Sequence, residues 1–406
     1  MPLIFKKLLL SSIASNFSDG LVKVAAPLLA AFLTRDPVLI SFLSSLSFLP
    51  WLLFAIPIGG IADRTERFKL LAVANLLRVL TFGFATYLVF NLNNPESFFV
   101  INIYWLYVIV FLVGVCEVVA DTASQSLLPG MLNEDQREKG NAHMQTAQFV
   151  VQEFMGVPVA GLLFAVSMFV PFLIGSIGFA IAWVILLNLA VSASKLASTP
   201  ASKNFIAELK FGLKFLYEEK NVFKLVMFTT SLSFFFAASG ATLVLFALDV
   251  VGISEASFGV VMMLGGIGGL IGSIITPKLS QRFGRGAMLA ISISLAPAAI
   301  IIQGIYPNIV IFILGGFITS FATSIWNILL MSSYQYLIPS EIFGRIHGAR
   351  RTLVWGVSPL GAVLGGYLGA IDLRVPLIVG GSITLLIALA NTRFVVNLGN
   401  LTSNRT

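Results

Sequence analysis

Twelve runs of 20 or more mostly apolar residues fix the range of folds open to this chain. A helix needs about 20 such residues to cross a bilayer. The runs fall at about 8–33, 38–62, 70–91, 99–127, 141–166, 168–192, 223–250, 257–277, 287–306, 308–333, 346–370 and 372–393. Residues are 57% hydrophobic and only 11% charged, where soluble domains carry roughly 25% charged residues. The sequence therefore predicts an all-α membrane protein of twelve transmembrane helices. One substantial polar interval, 193–222, separates residues 1–192 from residues 223–406 and gives two six-helix bundles joined by a linker. Within the linker, Phe205, Leu209, Leu213 and Leu216 recur at helical spacing. That pattern predicts an amphipathic helix lying along the membrane surface.

The net charge of +7 would suggest a nucleic-acid partner in a soluble protein. Here the basic residues cluster in short connections, and topology explains them. With the N-terminus in the cytoplasm, 21 of the 25 Lys and Arg residues fall on the cytoplasmic side, and only Arg35 and Arg374 fall outside. Lys23 and Arg78 lie within spans. This asymmetry predicts that both termini and the linker are cytoplasmic. The basic, apolar N-terminus has the look of a signal peptide, but Asp19 interrupts it and the hydrophobic run continues. It reads as a retained first span. One cysteine, Cys116, and two histidines argue against a disulfide framework or a multi-Cys or His-rich metal centre.

The two halves echo each other. Phe5, Lys6 and Ser11-Ser12 align with Phe223, Lys224 and Thr229-Thr230, and the same offset of 218 carries "ADRTER" (62–67) onto "SQRFGR" (280–285). Parallel repeats of six helices imply an axis along the membrane normal and a substrate site near the midplane.

"GGIADRTERFK" (59–69) resembles the loop between the second and third helices of the major facilitator superfamily, G-x-x-x-D-R-x-G-R-R/K. Gly59, Asp63, Arg64, Arg67 and Lys69 fall in place or nearly so, and Glu66 stands where the family usually has Gly. The second-half copy keeps Arg282, Gly284 and Arg285, with Gln281 for the acid. "EVVADTASQSLLPGML" (117–132), "QEFMGVPVAGLL" (152–163) and "SPLGAVLGGYLGA" (358–370) are similar to the branch holding macrolide-efflux and enterobactin-exporter-like proteins. The resemblance covers nearly the whole chain. It implies a major facilitator fold, a small-molecule substrate and alternating access. The arginine that many proton-coupled drug antiporters carry in the fourth span has no counterpart in "FLVGVCEVVAD" (111–121). Gly59, Asp63, Arg64, Arg67, Arg282 and Arg285 read as a cytoplasmic gate, a latch made by Asp63 with a helix N-terminus or a basic residue. The alternative is that these arginines only enforce topology. Arg78, in the inner half of the third span, is grouped with the gate and is also a counter-ion candidate for the carboxylates of the fourth.

Ionisable residues inside spans are the first candidates for a site. Asp19 and Lys23 stand one turn apart on the first span. Either they form an intrahelical ion pair, or Asp19 is a proton- or cation-binding group with Lys23 as modulator or substrate contact. At the 218 offset their counterparts are Ala237 and Ala241, so the repeated scaffold does not require these charges. Glu117 and Asp121 form a second pair one turn apart. They share a proton, or Asp121 serves as a latch partner. On the fifth span Asn141, Gln145, Gln148 and Gln152 form a polar stripe, with Glu153 beside it. The stripe contacts substrate or neighbouring helices. Ser320, Ser324 and Asn327 make a weaker stripe on the tenth span. The second half offers aromatics such as Phe234, Phe235, Phe236, Trp326 and Trp355, which suits apolar or amphipathic substrates.

No G-x-x-x-x-G-K-[ST] loop occurs, and "GGIGGLIGS" (265–273) reads as helix packing. The expected protein is a secondary transporter rather than an enzyme, without cofactor or metal, monomeric in the cell membrane. It is expected to export small hydrophobic or amphipathic molecules in exchange for protons taken up by Asp19, Glu117 or Glu153. A nutrient, siderophore or lysolipid carrier is the alternative, and a non-transporting receptor the more remote one.

Overall fold

The computed structural model describes residues 2–92, 94, 101–132, 134–192, 214–215, 217–338 and 342–403. Helices and short turns account for them, with no strand among the described residues. The first part of the chain forms α1 (Leu3–Leu33), α2 (Pro37–Arg64), α3 (Arg67–Phe90), α4 (Ile103–Met131) and α5 (Glu134–Phe149). A π-helical segment, Val150–Gly156, joins α5 to α6 (Val157–Val166), and α7 (Val170–Ser192) follows. Beyond the linker come α8 (Lys220–Gly240), extended through Leu243–Leu245 and a second π-helical segment Phe246–Val250, then α9 (Glu255–Phe283), α10 (Arg285–Ile305) and α11 (Ile309–Leu337). The chain ends with α12 (Phe343–Gly356), α13 (Ser358–Ile371), a third π-helical segment Pro376–Gly380, α14 (Gly381–Ala390) and α15 (Thr392–Ser403).

Among the described residues, eleven helices are long and apolar enough to cross a membrane. The pair Pro376–Ala390 and Thr392–Leu401, bent by 57°, makes a twelfth if it is counted as one broken span. The bend falls at Asn391, whose side-chain amide donates to the Ile387 carbonyl at 2.9 Å. The fifth span, His143–Val166, starts close to the expected residue 141, and the helix that carries it begins earlier, at Glu134, in polar turns. Prolines mark two related breaks. Pro158 opens α6 just after the first π-segment, and Pro359 opens α13 just after the interruption at Val357. A proline removes one backbone donor and clashes with the preceding turn, and a π-turn is one way a helix absorbs that defect.

Contacts group the chain into two compact units. The first comprises Met1–Thr34, Leu46–Phe205 and Ser254–Val260; the second comprises Arg35–Ser45, Ile206–Ile253 and Val261–Thr406. The first has a core of Phe5, Leu8, Phe68, Leu71, Leu127 and Leu186, among others. The second is built round Leu225, Val226, Leu289, Ile325, Trp326 and Tyr334. In the second unit, a Cβ built on Gly268 would lie 2.0 Å from the Phe317 carbonyl oxygen, and one on Gly272 would lie 2.6 Å from that of Phe321. This four-residue spacing of glycines seats α9 directly on the α11 backbone. Buried hydroxyls are mostly returned to their own helix, as in Thr276 to Gly272 O (2.6 Å) and Thr384 to Gly380 O (2.7 Å).

Arg35 and Asp249, both in the second unit, pair at 2.9 Å with side chains 53% and 38% exposed. Exposed pairs contribute only ~0–1 kcal/mol. Arg35→Ala is therefore expected to move the melting temperature of the detergent-solubilised protein by no more than ~2–4 °C. A fall of several times that would show that the pair anchors more than its own two side chains.

The linker expectation falls mainly outside the described residues. Of the expected amphipathic helix only 214–215 and 217–221 are described; 214–215 and 217–218 are helical, with Lys214 and Glu218 3.7 Å apart, and α8 begins at Lys220.

Candidate functional site

The first unit encloses a polar cavity of about 110 Å³ between α1, α3, α4 and α5. Helix α1 lines it with Ser11, Ser12, Ser15, Asn16 and Asp19, at the three- and four-residue spacing that puts them on one face. Helix α3 contributes Asn75 and Arg78, α4 contributes Glu117, Asp121 and Ser124, and α5 contributes Gln145 and Gln148. Three carboxyl groups and one guanidinium thus share one small space inside a bundle that is otherwise apolar.

Arg78 is the hinge of this arrangement. Its side chain is 1% exposed. Nη1 donates to Ser15 Oγ at 2.9 Å and to Asp19 Oδ2 at 3.4 Å. The guanidinium carbon lies 5.0 Å from the centre of the Phe179 ring, a cation–π contact on its apolar side. Nε and Nη2 make no hydrogen bond to protein, nor does the buried Oδ1 of Asn75, one turn away on the same helix. A guanidinium carries five donors in a fixed fork, so this one keeps donors without a protein partner. Asp19 is 13% exposed on its side chain and forms an ion pair with the guanidinium.

Lys23 does not turn back to Asp19. It forms an ion pair with Glu153, carried by the π-helical segment Val150–Gly156. The lysine side chain is 52% exposed and the glutamate 21%. The two backbones touch here. A Cβ on Gly20 would lie 2.6 Å from the Gln152 carbonyl oxygen, and one on Gly156 would lie 2.7 Å from both Gly20 Cα and the Phe17 carbonyl oxygen. Glycine at both positions permits this approach, and the approach brings Lys23 within reach of Glu153. The intrahelical Asp19–Lys23 pair is thus replaced by two interhelical pairs, Asp19 with Arg78 and Lys23 with Glu153. Each of the four charges has a partner on a neighbouring element.

The structure brings Asp19, Glu117, Asp121 and Gln148 together in the cavity, along with Gln145. Gln152 and Glu153 do not line it, because the π-segment breaks the 3.6-residue periodicity that joined them to Gln145 and Gln148 as one stripe. Arg78 sits with Asp19 rather than beside the gate residues at the start of α3. Asn327 is exposed on α11 in the second unit. Of the expected gate, Arg67 opens α3 and is half-buried, Arg285 opens α10, and Arg282 is exposed with its guanidinium 5.4 Å from the Phe283 ring centre. The backbone of Gly59, Asp63 and Arg64 belongs to α2, and their side chains lie outside the described residues. Ser15, Asn16, Asn75 and Ser124 escaped the sequence reading. Their signal was their spacing: Ser12, Asn16, Asp19 and Lys23 follow one helical face, and Asn75 stands three residues before Arg78. Among the described residues, no three His, Cys, Asp or Glu side chains are grouped so as to hold a metal ion.

The chain is similar to two proteins called macrolide efflux protein A. That of Streptococcus pyogenes is 23% identical over 342 residues, covering 82% of this chain and 80% of that protein. That of Enterococcus faecalis is 23% identical over 330 residues, covering 79% and 97%. The fold is similar to that of a bacterial homologue of the iron transporter ferroportin, solved in an inward-facing state. There the TM-score is 0.75 at 16% identity, over 97% of this chain and 100% of that one. It is also similar to a peptide transporter, POT, solved with alafosfalin, at TM-score 0.75 and 14% identity over 99% and 96% of the two chains. The family model described as Major Facilitator Superfamily matches residues 8–360. With most of its length matched and a membrane-spanning all-helical fold, the chain belongs to the major facilitator superfamily and is a membrane transporter.

Proposed function

We propose that this transporter exports small hydrophobic or amphipathic molecules, macrolide-like compounds among them, in exchange for protons, by alternating access. The observation that carries the coupling half of this reading is the cavity that Asp19, Glu117 and Asp121 line together with the buried guanidinium of Arg78. Fully ionised, that group holds three negative charges against one positive. A proton entering the cavity neutralises one carboxylate and loosens its hold on Arg78. Arg78 is then free to exchange Asp19 for another partner in the cavity, Glu117, Asp121 or a polar group of the substrate. The export half rests on the macrolide-efflux relatives.

The energetics fit the task. Inward movement of one proton is favoured by ~2.3 kcal/mol per 100 mV. At ~1.4 kcal/mol per factor of ten, one proton per cycle supports an approximately fiftyfold gradient of a neutral substrate. In this reading the termini are cytoplasmic, which puts 21 of the 25 Lys and Arg residues on that side.

The test is transport in proteoliposomes with an imposed pH gradient, with erythromycin as the first probe. The parent protein is expected to move the macrolide uphill and to stop when an uncoupler is added. Asp19→Asn is expected to abolish uphill movement while retaining exchange of labelled for unlabelled macrolide, because substrate contact survives and coupling does not. Glu117→Gln is expected to lower uphill transport at least tenfold. Undiminished proton-driven efflux in both variants would sink the carboxylate mechanism. Movement of nucleosides or siderophores but not of macrolides would replace the substrate class.

A further inference from the structure

The second unit contains a cavity of a different kind. It measures about 200 Å³ and lies between α8, α9, α10 and α11, nearer the turns at 251–254 and 306–308 than the opposite helix ends. Its wall is mostly hydrocarbon, with Phe236, Leu243, Met262, Ile300 and Phe312 supplying large faces. Gly240, Gly265 and Gly316 supply none, and that absence of side chains creates the space. Nothing lies within 4 Å of a Cβ built on Gly240, which is exposed like its neighbour Phe236. The entry therefore runs past these two residues of α8.

Two polar side chains in this wall are unlike the rest. Thr319 Oγ1 is buried and makes no hydrogen bond. Several other hydroxyls of the unit return to their own helix, as Ser239 does to Phe235 O at 3.0 Å, while Thr230 and Thr242, outside this wall, also leave Oγ1 unpaired. Gln303, 5% exposed, holds its amide nitrogen 3.4 Å from the Ala299 carbonyl oxygen, a long contact. A buried hydroxyl without a partner is costly, and a ligand that brings one polar group removes that cost once a turn of the Thr319 side chain presents Oγ1 to the cavity.

We propose that this cavity is a binding site for a compact apolar molecule carrying one hydroxyl, which pairs with Thr319 Oγ1. The volume sets the size. A cavity of about 150 Å³ lined by aliphatic and aromatic groups holds benzene, so one of 200 Å³ holds a six-membered ring with a short substituent. The hydroxyl of Thr319 both donates and accepts, so it fits an alcohol in either sense. The cavity shares no residue with the carboxylate cavity of the first unit. Occupancy here does not depend on the proton-coupling proposal.

The experiment uses the full chain purified in detergent and two fluorinated probes, 4-fluorobenzyl alcohol and 4-fluorotoluene, followed by fluorine NMR. Saturable binding of both is expected in the parent protein. Thr319→Val is expected to weaken the alcohol about five- to tenfold and to leave the toluene within about twofold, because only one of them uses the hydroxyl. Thr319→Ser restores the alcohol. Gly240→Leu fills the cavity and removes saturable binding of both probes; Ser320→Leu, on the opposite wall, serves the same end if the first variant does not fold. Asp19→Asn keeps both affinities, which separates this result from any failure of the coupling mechanism. The assignment is overturned if saturable binding survives in both cavity-filling variants, if Thr319→Val affects the two probes equally, or if the parent binds neither. Displacement of both probes by added phospholipid would also overturn it, by giving the cavity to an acyl chain.

Discussion

Arg78→Leu is expected to cost the protein ~3–5 kcal/mol of stability, because it leaves the largely buried Asp19 without its ion-pair partner. In detergent this corresponds to a fall of ~5–15 °C in melting temperature, together with complete loss of uphill transport. The wild-type guanidinium is fixed on three sides, by Ser15, by Asp19 and by the Phe179 ring. Arg78→Lys keeps the charge but loses the planar fork that reaches Ser15 and Asp19 from one nitrogen. An intermediate melting temperature is therefore expected for it. The decisive comparison is the double variant with Asp19→Asn. Removing both charges abolishes the uncompensated one, so the combined loss is expected to be well below the sum of the single losses. A strictly additive result would mean that Asp19 and Arg78 act on stability independently, whatever their separation of 3.4 Å.

Gly156→Leu is the second large effect. Its side chain would have to enter where Gly20 Cα and the Phe17 carbonyl oxygen already lie within 2.7 Å of the Cβ position. Both obstacles are backbone, so no side chain can swing aside. The π-segment and α1 must separate, at a cost of ~1–3 kcal/mol or more. Separation also pulls Glu153 from Lys23 and shifts Asp19, the neighbour of Gly20, relative to Arg78. Loss of both stability and coupled transport is expected, measured by thermal melting and by macrolide efflux on the same preparation. Gly156→Ala already brings the offending Cβ and should show the same sign. Gly83→Ala is the control, since its Cβ would meet only Ser176 Oγ at 3.9 Å. Normal melting of Gly156→Ala would show that the two helices tolerate a wider spacing than the structure gives them.

The candidate site was half legible in the sequence. Asp19, Glu117 and Arg78 stood out because a charge within an apolar span is expensive and is kept only where something compensates it. What compensates each one was not legible. Asp19 and Lys23 are one turn apart, and local spacing favours their pairing. The structure pairs Asp19 with a residue 59 positions away and Lys23 with one 130 positions away. Arg78 on α3 and Glu153 on the π-segment each come within ion-pair reach of a charge on α1. The glutamine stripe of the fifth span failed for a related reason. Periodicity assumes a continuous α-helix, and the π-segment ahead of Pro158 breaks it between Gln148 and Gln152. The hydroxyl of Thr319 carried no sequence signal at all, because a threonine in a helix ordinarily bonds to its own backbone.

By itself, the sequence determined the number, approximate limits and helical nature of the membrane spans. In hydrocarbon every backbone polar group must be satisfied within its own segment, so apolar length alone specifies the element. It also determined which half carries the charges, since Asp19 and Lys23 have no charged counterparts at Ala237 and Ala241. Only the tertiary structure decided which charges pair, where α5 becomes a π-helix, and that glycines at 20 and 156 bring two backbones into contact. These depend on distances between segments far apart in the chain. No local pattern of residues encodes such distances.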